Sequence, residues 1–272
     1  MTDEKRQAEN AENAENAENA ENAENAEKNG KEFEIPREFE VGASPEQVWD
    51  AVTRHTDGWQ WPMEFEPKEG GAGPFNSVLT VWEPPHRLTV RSEDPEALPP
   101  FQTSNQLDYT IEPRDGGTRS WVRYVHSGIF VDNWDEYYDG ADKHTDFYLH
   151  TLRQYVTHFP GRTAAFATLD GPATSATVDA LAAVGRALNL PENAAAGARV
   201  RVQGPDGTTL DTVLDYRNDW FVGLRTDTAL YRIFGRGRWG APVGITVHDF
   251  APDADADRNA TDWSAWLTAV FR

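Results

Sequence analysis

In several segments between residues 33 and 126 the hydrophobic positions recur at every second residue, the period of strands with one buried face. Phe33, Ile35, Arg37, Phe39 and Val41 share one parity and predict a strand over 33–41. Further strands are expected over 77–82, 88–92, 104–111 and 118–126. Pro84-Pro85 separates the first two of these, since proline cannot donate to a ladder. Asp115-Gly116-Gly117 is a hairpin signal leading into the last. Between the first two strands, Ser44, Pro45 and Gln47 form a helix start with a capping box. Val48, Trp49 and Val52 give that short helix its inward face.

At residue 133 the period changes to that of a helix. Trp134, Tyr138, Ala141, Thr145, Tyr148, Leu152, Tyr155 and Phe159 recur at alternating steps of four and three, predicting one helix over 133–159. At 1.5 Å per residue it is about 39 Å long, enough to cross a small sheet. Gly140 falls in its middle at a propensity cost of ~1 kcal/mol. The expectation is that it leaves room for a ligand or for a closely approaching strand.

Pro160-Gly161 ends the helix, and the chain becomes rich in Ala, Thr and Gly. A helix over 175–190, strands over 199–203, 209–216, 220–225, 229–234 and 243–250, and a last helix over 262–271 are expected. Trp263, Trp266, Leu267 and Val270 form the inward face of that last helix. Three segments follow: a tail over 1–32, a domain over 33–161 and a smaller α+β unit over 162–272. Residues 8–27 of the tail repeat Ala-Glu-Asn with no apolar stripe, which predicts disorder.

Ten Trp and thirteen Phe supply a sizeable core, and there is no cysteine, which excludes disulfides, thiol catalysis and Cys-ligated zinc. The formal net charge is −20; residues 1–32 hold ten acidic and four basic side chains, leaving 35 against 21 in the rest. An acidic folded part repels phosphate backbones, so nucleic acid is not an expected partner. No apolar run approaches the ~20 residues of a membrane span. The first residues have neither the basic nor the apolar region of a signal peptide. The expectation is a cytoplasmic protein with no membrane partner.

Four segments carry a resemblance: EFEVGASPEQVWDAVT, VWEPPHRLTV, GGTRSWVRYVHSGIF and NWDEYYDGADKHTDFYLHTLRQYVTHF, in that order. Together they resemble the SRPBCC (START-like, helix-grip) superfamily, in the branch similar to the C-terminal domain of heat-shock protein 90 ATPase activators. The resemblance implies an α+β helix-grip fold, an antiparallel sheet wrapped around a long C-terminal helix with an apolar cavity between them. The second unit then reads as a smaller α+β domain, a degenerate copy of the same order without its first strand. Three functions are implied. The leading one is non-catalytic binding of a small hydrophobic or aromatic ligand. The others are a co-chaperone-like module acting on a chaperone or other protein in a stress response, and a polyketide cyclase- or hydrolase-like enzyme.

Ser120, Val122, Tyr124 and His126 share one strand face, and Tyr124 and His126 reach the cavity if that face meets the helix. A half-buried His126 satisfied by a backbone carbonyl is the alternative. Trp59, Trp61, Phe65, Tyr109, Trp134 and Tyr138 complete the candidate ligand-binding set, although aromatic residues more often serve as core. No catalytic residue, metal ligand or cofactor is assigned. Gly235-Arg236-Gly237-Arg238-Trp239-Gly240 fits G-x-G-x-x-G, but a strand pattern follows it, so it reads as a glycine-rich hairpin loop. Asp253, Asp255 and Asp257 imitate a calcium loop, but Arg258 and Ser264 stand where glycine and glutamate are required.

Overall fold

The computed structural model describes residues 30–272. The repeat reading therefore falls outside the described residues, except that the first strand already begins at Lys31. The first sheet contains β1 (Lys31–Val41), β2 (Val78–Glu83), β3 (Arg87–Ser92), β4 (Gln102–Arg114) and β5 (Arg119–Phe130). All pairings are antiparallel, in the spatial order β1-β5-β4-β3-β2. Helix α1 (Pro45–Thr53) follows β1, and the long helix α2 (Trp134–His158) follows β5. The fold is α+β and helix-grip in its first half.

The local signals act as their chemistry dictates. Ser44 Oγ accepts from the Gln47 backbone N–H at 3.3 Å, and Gln47 Oε1 accepts from the Ser44 N–H at 2.9 Å, closing the capping box. At the hairpin between β4 and β5, Asp115, Gly116 and Gly117 all have positive φ, 49°, 68° and 87°. Two glycines there avoid the Cβ penalty of that region.

The second half comprises β6 (Ala165–Asp170), α3 (Ala180–Ala187), β7 (Arg199–Gln203), β8 (Thr209–Arg217), β9 (Phe221–Arg225), β10 (Ala229–Phe234), β11 (Gly244–Asp249) and α4 (Ala256–Val270). Its strands form a second antiparallel sheet in the order β6-β11-β10-β9-β8-β7. Both halves thus run strand, helix, meander, helix, with the first strand paired to the last. The strand absent from the sequence reading is β6, whose Ala-Phe-Ala-Thr-Leu-Asp alternation is too weak to stand out. Ladder pairing to β11 stabilises it instead. Helix α4 starts before residue 262, because Asp255 caps it by accepting from the Arg258 N–H at 3.0 Å. Helix α3 is shorter than expected, Ser175 lying instead in a 3₁₀ turn.

Helix α2 is buried on two sides. Leu149, Leu152, Tyr155 and Val156 join the core of the first sheet. On its other side, Phe147 packs with Phe221 and Phe234 of the second sheet. Trp263 and Leu267 of α4 cover the far face of that sheet together with Val184 of α3. Helix α2 therefore lies between two sheets. At its end Phe159 stacks on Phe250, with ring centres 4.2 Å apart. Asp57 ties the halves further, its Oδ2 accepting from the Ala164 N–H and its carbonyl from His248 Nδ1, both at 2.6 Å.

Candidate ligand-binding site

A cavity of about 320 Å³ lies between α2 and strands β3, β4 and β5. The segments before β2 and before β4 close it. Val90, Leu107, Leu98, Met63 and Ala141 supply apolar wall, and Trp61 and Tyr148 form one side. The rings of that pair are 5.3 Å apart. No Asp, Glu, Lys or Arg stands in the lining.

Polar groups reach the wall from α2 (His144, Thr145), from the loop before β2 (Gln60, Ser77) and from strand positions. Counting by two along β3 from Leu88 gives Val90 and Ser92. Ser92 is buried, and its Oγ has no hydrogen-bond partner among the described residues. A buried hydroxyl without a partner costs roughly 1–3 kcal/mol, so it marks a place where a bound acceptor or donor gains. Counting by two along β4 gives Asn105, Leu107, Tyr109 and Ile111. Asn105 Oδ1 lies 2.8 Å from His126 Nε2 and accepts from Gln102 Nε2 at 3.1 Å.

Burial pushes the His126 imidazole down to about 4, so at neutral pH it is uncharged. Its Nε2–H then donates to Asn105, and Nδ1 keeps a lone pair. Phe33 meets the ring edge-on at 5.0 Å. On α2, His144 Nδ1 donates to the Gly140 carbonyl at 2.7 Å. Burial lowers the His144 pKa as well. The cavity is therefore apolar and uncharged, with a polar edge of Ser92, Asn105 and His126. Its size is at the small end of small-molecule sites, about 300–1,000 Å³.

Of the eight ligand candidates, Trp61, Tyr124 and His126 line this cavity. His126 is satisfied by a side-chain amide rather than a backbone carbonyl. The other five stand elsewhere. Tyr109 is core, its ring 4.9 Å from Tyr124. Phe65 packs on Trp82 against that same core. Trp59 is buried and donates through Nε1 to the Ala51 carbonyl at 2.9 Å. Trp134 and Tyr138 stack at 4.6 Å, and Trp134 Nε1 donates to the Glu32 carbonyl at 3.1 Å. These two clamp the start of β1, because the helix stripe that carries them runs past the end of the cavity. Gly140 faces not a ligand but Trp239, whose Nε1 would lie 3.4 Å from a Cβ placed there.

The remaining motifs are structural. Residues 237–239 of the glycine-rich loop form a 3₁₀ turn between β10 and β11. Arg236 pairs with Asp170, and Arg238 lies 3.4 Å from Asp139. No group of three His, Cys, Asp or Glu is placed to hold a metal ion among the described residues. None of the described helices is long and apolar enough to cross a membrane.

Residues 42–157 match the family described as activator of Hsp90 ATPase homolog 1-like protein. The match covers a little under half of the chain, and over that stretch the chain is similar to this Aha1-like family. Solved structures similar to it include protein MLL2253 from Mesorhizobium loti, at 20% identity and TM-score 0.40, covering 47% of this chain and 98% of that one. CalU16 from Micromonospora echinospora is similar at 14% identity and TM-score 0.38, covering 48% of this chain and 86% of its own. The Aha1 dimer from Colwellia psychrerythraea gives 15% identity and TM-score 0.35, with 46% and 96% covered. No curated protein matches the chain significantly. The Aha1-like region spans α1 to the last turn of α2 and so contains every lining residue of the cavity, including Ser92, Asn105 and His126.

Proposed function

We propose that the Aha1-like domain holds a small apolar or aromatic molecule in the cavity between α2 and its sheet, without transforming it. The observation that carries this reading is an uncharged cavity of about 320 Å³ into whose wall the unpartnered Ser92 hydroxyl is built. A ligand with one polar atom near Ser92 gains a hydrogen bond there, and the apolar wall supplies the rest by burial. Catalysis has little support in the same geometry. Neither imidazole of the lining pairs with a carboxylate: His126 is held to an amide and His144 to the Gly140 carbonyl, and burial lowers the pKa of both.

The experiment is a native mass spectrum of the purified chain for a co-purifying molecule, followed by titration of apolar aromatic probes. Ala141→Leu projects into the cavity from α2 and is expected to abolish probe binding with secondary structure intact. Undiminished binding in that variant would show that the cavity is not the site. Replacing His126 by Ala is expected to change binding by only ~0.5–1.5 kcal/mol, the net worth of one hydrogen bond. A turnover loss of about 10²–10⁴-fold with binding preserved would make the enzyme reading correct instead.

A further inference from the structure

Arg232 stands on β10, on the face of the second sheet that meets α2, and is 1% exposed. Its Nη1 donates to both oxygens of Asp215, at 2.9 and 3.1 Å, and to the Tyr231 carbonyl at 3.2 Å. Asp215 also lies 3.2 Å from His150 Nε2 on α2. One side of the guanidinium is satisfied. The other is not: Nε and Nη2 are buried with no hydrogen-bond partner among the described residues. These two N–H groups lie side by side along one edge of the planar group. That edge matches the two oxygens of a carboxylate. Buried charged donors are rarely left empty, because an unmade bond there costs more than a neutral one.

Arg232 lines a small chamber of about 10 Å³. Thr246 and His248 of β11 and Thr151 of α2 also line it, and no carboxylate does. His248 Nδ1 donates to the Asp57 carbonyl at 2.6 Å, and burial pushes its imidazole down to about 3. Arg232 is thus the one charged group in the lining. Gln60, Trp61 and Tyr148 belong both to this chamber and to the main cavity, so a single layer of side chains divides the two. Trp61 is only partly buried and sits outside any helix or strand.

We infer that the Nε/Nη2 edge of Arg232 is a second binding site, one that takes a carboxylate group between α2 and the second sheet. Two sources share this chemistry. One is the carboxylate end of an apolar acid whose body fills the main cavity and which passes Trp61; this source rests on the function proposed above. The other is a free small carboxylate such as formate, which does not. A single water is the competing occupant.

The test compares benzoate with benzamide by calorimetric titration of the full chain. Alongside it, melting is measured in sodium formate against sodium chloride at equal ionic strength. Arg232→Lys keeps a cation beside Asp215 but removes the paired N–H edge. Should that variant not fold, Arg232→Met combined with Asp215→Leu removes both buried charges together. Benzoate is expected to bind at least about tenfold more tightly than benzamide, the scale of one charge-assisted bond, and to lose that preference in the variants. Formate raising the melting temperature of the native chain alone would assign the site to the free carboxylate. Equal binding of acid and amide with no effect of formate, as a trapped water requires, would overturn the inference. So would an acid preference that survives in the variants. Binding of both aromatics without acid preference leaves the cavity reading standing while this one fails; formate stabilisation without aromatic binding does the reverse.

Discussion

Phe147 of α2 and Phe221 of β9 stack nearly parallel, at 7° between planes and 4.9 Å between ring centres. Both side chains are fully buried. Since the opposite side of α2 packs on the first sheet, this pair couples the core of one half to that of the other.

Phe147→Ala should therefore cost about 3–5 kcal/mol, the range for emptying a buried phenylalanine site. The loss should appear in one cooperative transition that includes both halves, read by calorimetry. Two separate transitions in the native chain would contradict the coupling.

Acid should weaken the fold before its carboxylates titrate. His126 and His248 are pushed down to about 4 and about 3, below the ordinary value of 6.5. The unfolded chain then binds more protons than the folded one between those limits. Their contribution is fully present above the unfolded value and is lost as pH falls towards the folded values. Between about pH 6 and 5, two such groups give a slope approaching 2–3 kcal/mol per pH unit. Chemical denaturation across that interval measures it, and a flat profile would count against neutral buried imidazoles.

Gly140→Leu is expected to act on the second half rather than on the cavity. Its side chain would meet Trp239, so melting should fall while apolar probe binding persists. Overpacking of this kind typically costs about 1–3 kcal/mol. Loss of probe binding with unchanged melting would put Gly140 back at the cavity.

Ser44→Ala should lower stability by about 1 kcal/mol, the usual worth of a side-chain cap. Retention of full stability would mean that the Gln47 half of the capping box suffices.

The sequence was most legible where one periodicity served one surface. The stripe from Trp134 to Phe159 places α2 correctly, and the parity of β5 places Tyr124 and His126 on the cavity side. The opposite side of α2 carries no such signal, because Gly140, His144, Phe147 and His150 mix aromatic with polar character and form no apolar stripe. Their partners lie 65 or more residues away, as His150 and Asp215 show. Ser92 and Asn105 were within reach of the same two-residue counting that found His126, yet small polar side chains announce nothing until their neighbours close around them. Aromatic residues misled in the other direction. Trp134 and Tyr138 look like pocket wall by composition, but their rings hold down the first strand.

Because α2 is shared, the cavity has a wall that is braced from behind by residues outside the Aha1-like region. A fragment cut after Gly161 would keep that region's strands and helices but bring Phe147 into water, along with the edge of His144 that now rests on Phe221. Such a fragment is expected to self-associate through the bared helix. Changes at Phe221, Phe234 or Trp239 are therefore expected to retune ligand affinity from a distance, by letting the helix shift against its own sheet.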